Sequence, residues 1–169
     1  MILLSAWSRQ LRSGLPNPKN YPWWPEVIQG IQSQVTQIAV TGDQQLVHSC
    51  LWNQNLEELD QLLHECDLWL AVDSFFQHWA WHRNKKGIVV WGPSNPHIFG
   101  HGENINLTLG PHAWRDNQFL TWEQVSYNKN TFVEPAQVLQ AVEQLLPGST
   151  KKKHWINLNR QSWPVTFVL

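Results

Sequence analysis

Short apolar runs alternate with amphipathic stretches along the chain. Ile2–Ala6, Gln37–Thr41, Leu68–Val72 and Gly87–Trp91 are mostly apolar and end in polar or turn-forming residues, the pattern of strands buried on both faces. A weaker strand is predicted at Leu46–Leu51. Pro22 and Pro25 suit a helix start. Val27, Ile28, Ile31 and Val35 give that helix its stripe, with a break near Gly30. Asn55 reads as an N-cap with Glu58 as its capping-box partner, ahead of Leu56, Leu59, Leu62 and Leu63. Phe75–His82 reads as the helix after the Leu68–Val72 strand. Asn104–Leu109 alternates polar and apolar positions, as an edge strand with one wet face does. Val138, Leu139, Val142, Leu145 and Leu146 define a last helix, begun at Pro135 and stopped by Pro147-Gly148. Val165–Leu169 would add a strand or pack over the domain.

Apolar strands joined by helical crossovers imply a mostly parallel sheet covered on both faces. The expectation is a single Rossmann-like three-layer α/β domain over residues 1–148, with a tail over 149–169 packing on it. A length of 169 residues suits one domain.

Composition narrows the partners. A formal net charge of -1 gives no basic footprint for nucleic acid. Lys151-Lys152-Lys153 is the sole like-charge run and reads as a solvated segment. Cys50 and Cys66 make no disulfide framework. No apolar run approaches the roughly 18 residues of a membrane span, and Ser5, Trp7, Ser8 and Arg9 interrupt the opening apolar residues where a signal peptide would continue. A soluble, cytoplasmic protein is expected. Twelve Trp are many for this length. Trp23, Trp24, Trp69, Trp79, Trp81 and Trp91 sit in or beside apolar elements and are read as packing residues. Trp7 directly follows a strand and is the better ligand candidate.

Open α/β sheets bind ligands at the carboxyl ends of their strands. The residues that fall there are Trp7, Ser8 and Arg9, then Gly42 and Asp43, Trp52 and Asn53, Asp73 and Ser74, and Gly92 to Ser94. Helix N-termini favour a phosphate or carboxylate at the same edge, and Arg9, Arg12 and Lys19 in the first long loop add positive charge. There is no GxGxxG, Walker A or Gly-x-Ser-x-Gly sequence. His78 and His82, four apart on one helix, have no acidic ligand motif beside them, so no metal is expected. Each candidate also has a plainer role. Asp73 would cap the next helix, His78 would be a packed histidine, Lys19 a solvated cation, and Ser94 and Asn95 turn formers.

Asp73-Ser74, His78, the strand Gly87–Trp91, Gly92-Pro93-Ser94-Asn95-Pro96 and Phe99-Gly100 together resemble the heptosyltransferase-type glycosyltransferases of family nine. Those proteins carry Asp-Ser-Gly-x-x-His on a strand-to-helix turn, then Gly-Pro-Thr-x-Pro and Phe-Gly. Lys19-Asn20-Tyr21-Pro22 is similar to the family's Lys-x-Trp-Pro, and the likeness runs from Ile2 to Gly100, with Pro135–Leu146 resembling the closing helix. The resemblance implies the C-terminal, donor-binding half of a GT-B fold. It assigns Lys19 to the donor's phosphates or sugar, the Asp73-Ser74 turn to the diphosphate, and Gln77 and His78 to positions close by. It implies no cofactor or metal. Two departures stand out: Phe75 replaces the family glycine and would crowd the phosphate, and Gly42-Asp43-Gln44-Gln45 lacks the acidic residue that contacts the nucleoside.

On this reading Met1 falls at the first strand of the donor half, and a partner chain or a homodimer supplies the acceptor side. No residue is assigned as catalytic. The substrate-binding set is Trp7, Ser8, Arg9, Lys19, Gly42, Asp73, Ser74, Gln77, His78, Gly92 and Ser94, and the expected ligand is a nucleotide-sugar donor. The alternative is a non-catalytic nucleotide or nucleotide-sugar binding module that sequesters or regulates. A structural subunit assembling through Trp-rich surface is a third reading.

Overall fold

A computed structural model describes residues 1–151 and 166–168. Its elements are β1 (Ile2–Ser5), α1 (Trp24–Gly30), β2 (Val35–Ala39), β3 (Cys50–Trp52), α2 (Leu56–Glu65), β4 (Leu68–Val72), α3 (Phe75–His82), β5 (Ile88–Val90), α4 (Pro96–Phe99), β6 (Ile105–Thr108), α5 (Pro135–Leu145) and β7 (Thr166–Val168), with three short 3-10 turns between β6 and α5. The strands form one sheet in the order β3-β2-β1-β4-β5-β6-β7. The first six run parallel, and β7 is antiparallel to β6. The domain is Rossmann-like and three-layered, as the sequence implies.

Strand alternation builds the two outer layers. Ile2, Leu4, Leu68, Leu70, Val72, Ile88 and Val90 point to one face, where Val27 of α1 and Val138, Leu139 and Val142 of α5 cover them. Leu3, Trp69, Ala71 and Val89 point to the other, under Leu59 and Leu63 of α2 and Phe76 and Ala80 of α3. Buried Trp residues satisfy their indole N–H groups. Trp24 donates to Ala6 O (3.0 Å), Trp69 to Lys85 O (3.1 Å) and Trp91 to Asn106 Oδ1 (2.9 Å). The Asn55–Glu58 capping box is present, with both reciprocal hydrogen bonds at 2.8 and 2.9 Å. No helix among the described residues is long and apolar enough to cross a membrane.

Four expectations are corrected. Val35 belongs to β2, because α1 ends at Gly30 and Ile31 is already extended; β2 therefore starts two residues before Gln37. The weak strand lies at Cys50–Trp52, at the end of the predicted span. Leu56 and Trp81 are exposed, Trp81 lying flat on His101 at 4.2 Å between ring centres. Finally, β6 is interior rather than an edge, being flanked by β5 and β7. Its polar residues are buried and work inside the protein: Asn106 accepts from Trp91 and donates to His101 O, and Asn104 accepts from Gly87 N.

Gly87 marks where this packing has no slack. A Cβ there would lie 2.3 Å from the Trp69 ring and 2.7 Å from Trp69 O, whereas one at Gly102 meets nothing within 4 Å. Overpacking of this kind costs about 1–3 kcal/mol or more. Gly87→Ala should therefore lower the thermal midpoint by roughly 3–10 °C, and Gly102→Ala should leave it nearly unchanged. Equal midpoints in differential scanning calorimetry would contradict the packing described for Trp69.

Candidate functional site

Strand order reverses between β1 and β4, so the chain leaves these neighbours toward opposite faces and opens a crevice at their carboxyl ends. The long loop after β1 crosses that crevice. Its polar residues hold its course: Ser8 N donates to Asn20 Oδ1 (2.8 Å), Asn17 Nδ2 to Arg9 O (2.7 Å) and Lys19 N to Asn17 Oδ1 (3.0 Å). The Ser8 hydroxyl donates to Asp73 O (3.1 Å), joining the β1 loop to the end of β4. That course carries Lys19 Nζ to 3.4 Å from Asp73 Oδ2, with the two side chains only 15% and 8% exposed. Gln77 Nε2 donates to the other Asp73 oxygen at 3.3 Å.

The crevice is a cavity of about 640 Å³. Trp7, Ser8, Arg9, Lys19, Asp73, Ser74 and His78 line it, together with Gln10, Thr41 and Asp43. Seven of the expected binding residues thus converge on one space. Trp7 presents its ring there while its N–H donates to Gln44 O (2.8 Å).

The N-terminus of α3 opens onto the same space. Ser74 is its N-cap, but the side chain makes no capping hydrogen bond, and the buried Ser74 Oγ has no partner among the described residues. The first-turn N–H groups are therefore free to meet an anion. Phe75 also lines the cavity but turns largely to solvent. Its side chain is 59% exposed and stacks along the helix on Trp79, with ring centres 5.9 Å apart.

The other four expected residues sit elsewhere. Gly42 makes the turn after β2 with φ of 100°, and Asp43 closes that turn by accepting from Val40 N (2.9 Å). Gln77 is fully buried behind Asp73 and also donates to Phe99 O. Gly92 lies beneath Phe132, where a Cβ would meet the ring at 2.5 Å. Ser94 is buried, and its hydroxyl is unpartnered among the described residues.

The turn after β5 acts as an anchor. Gln118, from the segment after β6, donates to Pro93 O and accepts from Asn95 N (2.8 Å), and Arg115 N donates to Pro93 O (3.0 Å). This fixes Trp122, whose ring lies 3.7 Å from the Arg115 guanidinium carbon and 5.0 Å from Lys19 Nζ. Burial lowers the Arg115 pKa, and the negative charge of Asp73 opposes that shift. Sequence reasoning missed Arg115, Gln118 and Trp122. They lie in irregular chain, and nothing in their spacing shows that they fold back onto the site.

No family model matches the chain, and no curated protein matches it. Among solved structures, it is similar to ADP-heptose LPS heptosyltransferase II of E. coli, with a TM-score of 0.58 at 15% identity. The match covers 86% of this chain and 46% of that one. The likeness is one of fold. The matched part is thus about half the length of that protein.

Among the described residues, no group of three His, Cys, Asp or Glu side chains is placed to hold a metal ion. His78 pairs instead with His101, Nδ1 to Nε2 at 2.9 Å. Burial lowers the His101 pKa below its ordinary 6.5, and the charge of His78 lowers it further, against a smaller opposing pull from Glu103. The folded site therefore binds its proton later than the unfolded chain as pH falls. Its contribution to stability is complete above about pH 6.5 and is lost as pH drops from there through the lowered folded value. Urea titrations from pH 8 to pH 5 should show this decline, and His101→Gln should flatten it. An unchanged slope in that variant would assign the decline to other groups.

Proposed function

We propose that this domain binds a nucleotide sugar across the carboxyl edge of β1 and β4, with the diphosphate at the N-terminus of α3, and that it serves as the donor-holding part of a glycosyltransferase. One observation carries the reading: the unoccupied cap of α3 faces Lys19 and Arg9 across a single cavity. Helix N–H groups and two cations are the chemistry that binds a diphosphate. The cavity extends past the carboxyl end of β2, along Ala39, Val40 and Thr41, where open α/β folds place a nucleoside. The other end of the ligand then passes Lys19.

In the transfer this implies, the bond between the anomeric carbon and the diphosphate oxygen breaks, and its electron pair stays on that oxygen. A new carbon–oxygen bond forms to the acceptor hydroxyl, whose proton goes to a base. Lys19, Arg9 and the α3 N–H groups stabilise the leaving diphosphate. The base and acceptor site come from an opposing domain, in a partner chain or a second copy. The fold likeness to part of a protein about twice as long supports that division.

Isothermal titration of the full chain with ADP, UDP, GDP and their glucose or mannose conjugates tests the reading. At least one should bind saturably. Lys19→Gln should weaken it by about ten- to a hundredfold, the cost of a charge-assisted contact worth roughly 1.5–3 kcal/mol. Heat changes indistinguishable from buffer for every compound would refute the proposal. Binding with neither donor hydrolysis nor transfer, even with a partner added, would favour a sequestering module.

A further inference from the structure

The loop after β1 and the segment after β6 enclose a second cavity of about 610 Å³, whose walls include Arg9, Arg12, Lys19, Thr121, Trp122 and Glu123. Ser8, Arg9, Gln10 and Lys19 line both cavities, so the two adjoin along the Lys19 wall. Their charges differ. The first sets Arg9 and Lys19 against Asp43 and Asp73. The second sets Arg9, Arg12 and Lys19 against Glu123 alone. Because Lys19 is already paired with Asp73, the two arginines less one carboxylate leave an excess of one positive charge there, in a chain whose formal net charge is -1. Among the described residues, neither Arg9 nor Arg12 lies within ion-pair distance of a carboxylate.

Both walls are held in place. Asn17, almost fully buried, grips Arg9 O and the Lys19 N–H, which sets the backbone on either side of Arg12. Trp122 is fixed by Arg115 on its ring and by the anchoring of that segment to the turn after β5. Guanidinium groups presented by a fixed frame bind oxyanions bidentately. A neutral hexose would offer them hydroxyl acceptors but no opposite charge. Glu123 adds an acceptor for a hydroxyl.

We propose that this second cavity receives an anionic group, a carboxylate or a phosphate, on the sugar end of the ligand whose diphosphate lies in the first cavity. The inference rests on the nucleotide-sugar reading for what fills the first cavity. It narrows the substrate class to acidic or phosphorylated sugars. Arg12 lines only the second cavity, and Trp7 and Trp122 each line one of the two. The two sites can therefore be read separately.

The test is fluorine NMR of the full chain labelled with 5-fluorotryptophan, with the two resonances assigned through Trp7→Phe and Trp122→Phe. The probes are inorganic pyrophosphate, glucuronate, glucose 6-phosphate and glucose. Glucuronate or glucose 6-phosphate should shift the Trp122 resonance saturably, and the stronger of the two identifies the anion; glucose should leave it in place. Arg12→Gln should weaken that response about tenfold, as for a lost charge-assisted contact, and preserve the Trp7 response to pyrophosphate. The proposal is overturned if neither anion moves Trp122, if glucose moves it equally, or if Arg12→Gln changes nothing. A silent Trp7 with a responsive Trp122 would remove the diphosphate reading and still support the second cavity as an anion site.

Discussion

The binding edge depends on β1 lying between β2 and β4, fully buried and parallel to both. A strand with neighbours on both sides spends its backbone groups on the ladder, so the chain must leave it sharply at each end. After β1 it leaves for α1 on one face; after β4 it leaves for α3 on the other. The space between these departures cannot be filled by either connection, and it becomes the first cavity. Its depth is set by Ser5 below and by the Ser8-to-Asp73 hydrogen bond that keeps the two loops from spreading.

Asp73 is where that geometry meets electrostatics. A nearly buried carboxylate is costly unless paired, and here it takes Lys19 and Gln77. The cost of burying Asp73 therefore fixes a cation at the mouth of a helix N-terminus. Such a pair adds little net stability, because the cost of desolvating both charges offsets their attraction. Its effect is positional, because Lys19 sits on irregular chain and would otherwise range through solvent. The same lysine also faces Trp122, so one side chain joins the β1 loop, the end of β4 and the segment after β6.

Periodicity carried the sheet well. Leu68–Val72 and Phe75–His82 have the predicted bounds, since a strand buried on both faces and the helix after it differ sharply in pattern. It failed where polar residues serve the interior. Asn104 and Asn106 look like the wet face of an edge strand, yet their amides satisfy Gly87 N–H and the Trp91 indole. It failed again at Val35, because helical spacing was followed where β-branching favours a strand. Of the site, the residues at strand ends were legible: Trp7, Ser8, Arg9, Asp73 and Ser74 all reach the cavity. Gly92 and Ser94 carry the right local pattern, but Gly92 packs under Phe132 and Ser94 is buried away from the residues that line the cavity. Arg115, Gln118 and Trp122 were illegible, because their role depends on a return across the fold that no local spacing encodes.

The engagement of the cavity's own polar groups argues for what the domain does within the proposed reaction. Asp73 holds Lys19, Asp43 closes its turn on Val40 N–H, and His78 is bound to His101. Each of these groups thus spends at least one hydrogen-bonding position on holding the site in shape. The donors are arranged the other way: the α3 N–H groups, the Ser74 hydroxyl and the Arg9 guanidinium face the cavity uncommitted. A surface with spare donors suits an anion that leaves with an electron pair. On the proposed reading, then, the uncommitted donors at the start of α3 are what equip this domain to hold the diphosphate.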